Sequence, residues 1–372
     1  MLLVLLAVTL VLLAAGVAMP KAVTLPPAVW AHLVLAVGVM SLITAAMQHF
    51  TPVLTRGRPA QRPLTYLPGY MLLAGVLATV VLAGVLDWRL ISVAGTLALI
   101  GAAVMFGWML RRSRRALGAP HPGLIWYLGA MGCLVAGLAA SVAMPWLTSW
   151  QAELRAFHLH INLYGFVGLT AVGTLQVLMP TVVNRAEPEA GPRLRRDFKW
   201  ALAGTVALAV GKAFSLPPLV WLGFALWLWP LLRLGFAWLS RHGREIVALH
   251  GQAPILMAAL LGFIAALYAA ALQPAGLTGP LAVLLPGFLF PLVSGAAGQL
   301  APVWANPRGQ FSAQQQGQYV LARYGGPRAF LFLSAALIPL LGYRCGGMVG
   351  LMGLVWFLIL FFGWGMRDGG AE

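Results

Sequence analysis

The chain has 372 residues, of which 61% are hydrophobic and only 9% charged, and its mean hydropathy is +0.88. Soluble globular chains carry roughly a quarter charged residues, so this composition excludes that class and points to a polytopic membrane protein. The 24 Lys and Arg against 8 Asp and Glu would suit a nucleic-acid binder, but they sit in short loops between apolar runs, where they orient helices in a bilayer.

In chain order, runs long enough to cross a membrane fall at about 2–19, 28–50, 68–86, 89–110, 123–146 and 157–181, then at about 199–216, 217–237, 247–272, 279–302, 328–343 and 346–366. They predict an all-α fold of about twelve transmembrane helices in a single membrane domain, 1–372. The first run lacks a basic start and precedes eleven others, so it reads as a helix rather than a signal peptide. The runs are continuous rather than alternating, which excludes a closed barrel. Nineteen basic residues, from Arg56 to Arg367, share one side of this topology, against Lys21, Arg89, Arg155 and Arg344 on the other. By the positive-inside rule both termini are cytoplasmic, and a bacterial inner membrane is the expected location. Lys212, near the outer end of helix 7, reads as snorkelling to the interface.

Three stretches repeat: HFTPVLTRGR from His49, QVLMPTVVNR from Gln176 and GQLAPVWANPR from Gly298. Their prolines, Pro52, Pro180 and Pro302, stand 128 and 122 residues apart, and an Arg follows each five or six residues later. Three units of four helices, approximately 1–120, 121–240 and 241–372, account for the chain. An even number of helices gives successive units the same polarity, which predicts a pseudo-threefold ring of four-helix arcs.

Few polar groups enter the apolar runs, so the seven histidines carry most of the available chemistry. His32 and His160 each lie 20 residues before their repeat proline, and His158 lies 22 before. The third repeat has Ala282 at the equivalent place. Imidazole ligates transition metals and haem iron, so His32 and His160, with His158 as the alternative, form a predicted metal or haem site at one depth. Residues four apart share a helix face, which pairs His160 with Tyr164 and His158 with Asn162. Gly165 and Gly168 offer room for a flat ligand. At the inner ends, His49, Gln176, His250 and Gln299 form a possible second, cytoplasm-facing set, or simply hydrogen-bond between helices. His121 and His242 read as solvated loop residues, and Met40, Met47 and Met144 as packing.

Absences narrow the chemistry. The sequence has no P-loop, GxSxG or HExxH motif. Cys133 and Cys345 form no CxxC, and without CxxCH a c-type haem is excluded. No acidic residue falls inside a predicted span, which argues against a carboxylate-based carrier.

Twelve helices in three arcs, with histidines in the outer third of helices 2 and 6, resemble subunit I of the haem–copper oxidase superfamily. HLHINLYGFVGLTAVGTL looks like a divergent helix 6 of that family, and His160 to Tyr164 keeps its H-x3-Y spacing. WAHLVLAVGVM followed by HFTPVLTRGR is similar to the small NnrS-type haem–copper membrane proteins linked to nitric oxide stress. The resemblance implies haem b or copper as cofactor and an electron-transfer partner or respiratory subunit. It does not extend to oxygen reduction, because no histidine follows His250 and a complete binuclear centre cannot be assembled. The expected function is therefore a haem- or copper-binding membrane protein, redox or nitric-oxide-linked. A metal-handling permease and a non-catalytic subunit of a respiratory or denitrification complex are the alternatives.

Overall fold

Long apolar runs broken only by Gly, Pro and basic clusters can satisfy their backbone in lipid only as helices. The computed structural model, which describes residues 1–19, 23–273, 278–306 and 310–368, is all-helical with no strand among those residues. The helices are α1 (Leu2–Ala18), α2 (Pro27–Leu54), α3 (Arg62–Leu82), α4 (Leu90–Arg114), α5 (Gly123–Ala143), α6 (Thr148–Val182) and α7 (Ala190–Ala213). They continue as α8 (Pro217–Ile246), α9 (Ala253–Leu272), α10 (Gly279–Ala305), α11 (Phe311–Leu321), α12 (Gly325–Leu340) and α13 (Gly346–Asp368). Among the described residues nine are long and apolar enough to cross a membrane: α2 to α6, α8 to α10 and α13. Helices α1 and α12 are apolar but shorter, and α7 carries charge in its first turns. The chain is a polytopic membrane protein. Large apolar side chains such as Leu73, Ile100, Trp229, Phe236, Phe330 and Ile359 stand exposed around the bundle, as lipid contact requires.

Several boundaries depart from the expected spans for identifiable reasons. Helix α3 ends at Leu82 rather than 86, where Gly84 takes φ 76° and turns the chain out of the helix. Helix α8 runs on to Ile246 through a break at His242, whose φ is −127°. Helix α11 falls in no predicted span. It is rich in glutamine, and its carbonyl at Leu321 accepts a bond from the Arg328 side chain at 2.7 Å. Lys21 and Arg308, counted in the loop-charge argument, lie outside the described residues, as does the side chain of Arg367.

Two of the three repeat prolines, Pro52 and Pro180, are followed by the same backbone, whereas Asn306, four past Pro302, takes φ −120° and forms no left-handed cap. In α2 and α6 the residue four past the proline, Arg56 or Asn184, takes φ 51°. The next N–H, of Gly57 or Arg185, then bonds back to the carbonyl of Pro52 at 2.8 Å or Pro180 at 3.0 Å. These are matching left-handed helix caps. At the other end, each of α2, α6 and α10 contains a π-helical stretch: Leu33–Val39, Ile161–Val167 and Leu285–Leu289. These begin 19, 19 and 17 residues before Pro52, Pro180 and Pro302. A π turn widens the helix by one residue, is rare, and concentrates at functional sites. Helix α1 packs on α13, so the first and last helices meet.

Candidate functional site

A cavity of about 540 Å³ opens between α2, α3, α4, α5 and α6. His32 of α2 and His158 of α6 both line it, their rings parallel to within 6° and their centroids 6.3 Å apart. The two rings are held alike. His32 Nδ1 bonds the Ala28 carbonyl one turn back at 2.8 Å, and His158 Nδ1 bonds the Gly137 carbonyl of α5 at 2.7 Å. A carbonyl only accepts, so each Nδ1 carries the proton and each Nε2 keeps its lone pair. Neither Nε2 has a hydrogen-bond partner among the described residues.

The cavity's shape comes from small side chains. Ala28, Ala31, Ala36, Ala74, Gly75, Ala78, Ala94 and Gly95 form much of its wall, with Met40, Leu134, Phe166 and Val167 as larger apolar members. A Cβ on Gly75 would lie 2.6 Å from the Ala36 carbonyl oxygen, so α3 meets the π stretch of α2 backbone to backbone. On α6 the lining residues are Arg155, His158, Leu159, Asn162, Leu163, Phe166 and Val167, the three- and four-residue spacing of one helix face. Asn162 Nδ2 bonds the His158 carbonyl at 2.8 Å, and its Oδ1 is buried without a partner. The amide fits only because residue 137 is glycine: a Cβ there would stand 2.5 Å from Asn162 Nδ2.

The predicted pairing of His32 with His160 is not the one the fold assembles. His160 is fully buried on the other face of α6, beside Tyr164 at 6.1 Å between ring centroids. Its Nδ1 bonds the Ala156 carbonyl at 2.7 Å, while its Nε2 is buried without a partner. His32 and His160 do occupy equivalent positions, each immediately before a π stretch. Equal depth in two repeats, however, does not turn two side chains toward one point. Tyr164 belongs with His160, its hydroxyl donating to the Ala266 carbonyl at 3.1 Å. The space beyond is packed by Phe263, Phe288 and Trp227, with centroids 4.6 Å and 5.1 Å from Phe263. Gly165 and Gly168 make no room for a flat ligand either, since they abut Cys133 and Phe263.

The inner set has separate partners. His49 lies edge-on to Phe50 and Trp304, Gln176 Oε1 accepts from Arg193 Nε at 3.0 Å, and His250 Nδ1 accepts from the Tyr324 N–H at 3.0 Å. The Gln299 carbonyl takes the Gln318 amide at 3.1 Å. Among the described residues no group of three or more His, Cys, Asp or Glu side chains could hold one metal ion. Comparison with protein-family models, curated proteins and solved structures finds no match for this chain.

The basic end of the bundle is an ionic structure that sequence reading left out. Glu187 is buried and pairs with Arg193 at 2.6 Å and Arg241 at 3.2 Å, and buried Asp197 pairs with Arg233 at 2.8 Å. His242, expected in solvent, is buried with both ring nitrogens unpartnered. His121 is partly buried, and its Nδ1 accepts the Gly123 N–H at 3.0 Å. Burial, and then the nearby Arg195, hold its pKa below the ordinary histidine value. Lys212 caps α9, donating to the Gln273 carbonyl. The sequence reading also missed Gly137 as the acceptor for His158 and Arg155 as part of the cavity wall. The three-residue step from Arg155 to His158 was the available signal for the second.

Proposed function

We propose that this chain is an integral membrane protein that binds haem b, which His32 and His158 would hold, and that it serves electron transfer. The observation that carries this reading is the pair of parallel imidazoles 6.3 Å apart across one cavity. A metal about 2 Å from each of two opposed nitrogens, each nitrogen ~1.1 Å from its ring centre, sets the centroids about 6.2 Å apart. The donor set fits as well, because both Nδ1–H groups are bound to carbonyls, which fixes the tautomer and leaves Nε2 to ligate. A lone copper ion would need the same two nitrogens but not a space of about 540 Å³ walled by alanine and glycine, a volume typical of cofactor sites.

Bound there, haem would supply one-electron oxidation and reduction. His32 and His158 would hold the iron, Gly137 and Ala28 orient the imidazoles, and the apolar wall excludes water. Within this reading the twelve spans form three arcs, as the resemblance to haem–copper oxidase subunit I implies, with both termini cytoplasmic. The matched caps at Arg56 and Asn184 and the three π stretches support that arrangement.

The test is the absorption spectrum and metal content of the purified protein. The expected result is one haem per chain with a sharp low-spin spectrum, lost in His32→Ala and His158→Ala. A colourless protein from haem-replete cells, with or without copper, would overturn the assignment.

A further inference from the structure

Apart from His32, His158, Asn162 and Ser141, the cavity wall is apolar, and it carries one cation. Arg155 lies on the cavity face of α6, three residues before His158 and about 4.5 Å along the helix axis from it, toward the end away from the basic loops. Among the described residues it is the one Lys or Arg lining the cavity. Among the described residues its guanidinium has no ion pair and no hydrogen-bond partner, unlike Arg193, Arg233 and Arg241 at the opposite end. Its side chain is exposed, so the cation stands at the mouth.

Haem b has one apolar edge and one edge bearing two carboxylates. Deeper in, Leu134, Phe166 and Val167 offer a carboxylate nothing, and burying an unpaired anion there is prohibitive. We infer that Arg155 pairs with a haem carboxylate at the mouth of the cavity and so decides which edge of the porphyrin faces out. This rests on the haem reading. In that pose a planar guanidinium, always charged and able to bind a carboxylate through two N–H groups, anchors the ring while His32 and His158 hold its centre. Arg155 is thus a positioning residue for the carboxylate edge, not an iron ligand.

The experiment compares two porphyrins in the full-length protein, prepared haem-free and titrated optically in detergent at low salt. One is iron protoporphyrin IX and the other its dimethyl ester, which has the same ring and iron without the charges. Wild type is expected to bind the acid at least about tenfold more tightly than the ester, as a charge-assisted pair would give, and the advantage should shrink as salt rises. Arg155→Gln should bind both porphyrins at the ester's level with the low-spin spectrum intact, and Arg155→Lys should restore part of the preference. Discrimination that persists undiminished in Arg155→Gln, or is absent from wild type, would overturn the inference while leaving the haem site standing. Failure of either porphyrin to give a two-histidine spectrum in wild type would overturn both.

Discussion

Gly137→Ala probes the contact that sets the His158 ring. The added methyl would lie 2.5 Å from Asn162 Nδ2, 2.8 Å from its Oδ1 and 2.9 Å from its Cγ. Ordinary contact begins near 3.5 Å, so the amide must retreat by about 1 Å. Asn162 is tied by its 2.8 Å bond to the His158 carbonyl, and Gly137 itself supplies the acceptor for His158 Nδ1 at 2.7 Å. Forcing extra volume into a packed site costs about 1–3 kcal/mol, and a hydrogen bond lost on the way about 1 kcal/mol. Against this, replacing a mid-helix glycine by alanine returns roughly 0.5–1 kcal/mol. The net expectation is destabilisation of about 1–3 kcal/mol. Equilibrium unfolding in mixed detergent and dodecyl sulfate measures it, together with Asn162→Ala and the double variant. The double variant removes the clash, so it should be more stable than the sum of the singles by about 1–2 kcal/mol. Additivity within about 0.5 kcal/mol would refute the contact and with it the account of how His158 is aimed.

The two histidines of α6 should separate cleanly: His158→Ala abolishes the haem spectrum, whereas His160→Ala keeps it and only loosens the packing around Tyr164, and a reversed pattern would return the ligand role to His160. At the basic end, Arg193→Ala strips buried Glu187 of its 2.6 Å partner and should cost about 3–5 kcal/mol, read by the same unfolding assay. Glu187→Gln should also destabilise, because it leaves buried Arg193 without its counter-charge. For His121, a folded pKa held below 6.5 means that the unfolded chain binds the extra proton first. Its contribution is complete above pH 6.5 and is lost as pH falls from there through the lowered folded value. His121→Gln should flatten the stability profile in that window, and an unchanged acid limb would count against the burial argument.

How much was legible in the residues differs from element to element. The apolar runs named the class and nearly all the helices, because a membrane leaves the backbone no other way to satisfy itself. Helix α11 escaped that logic, since a glutamine-rich segment of 11 residues is neither apolar nor long. The spacing of Pro52, Pro180 and Pro302 pointed to equivalent helices, and the caps at Arg56 and Asn184 share one geometry, each closed by an N–H bonded to the proline carbonyl. His32, His158, His160, Asn162 and Tyr164 were all legible as polar side chains in an apolar setting. Sorting them into His158 with Asn162 and His160 with Tyr164 followed from the four-residue period alone.

Which of those two faces looks at His32 was decided only by the tertiary structure. A helix period says that His158 and His160 point nearly opposite ways, but not which neighbour stands on each side. That rotation is set by contacts remote in sequence: α5 takes the Asn162 side through Gly137, and Phe263 of α9 closes the Tyr164 side. The cavity was equally invisible, because its walls are alanines and glycines brought together from five helices, and small residues in a membrane sequence mark close packing as often as open space. Here Gly165 and Gly168 pack away from the cavity while Gly75 and Gly95, no less closely packed on one side, line it together with Ala36, a difference that exists only once the helices have chosen their partners.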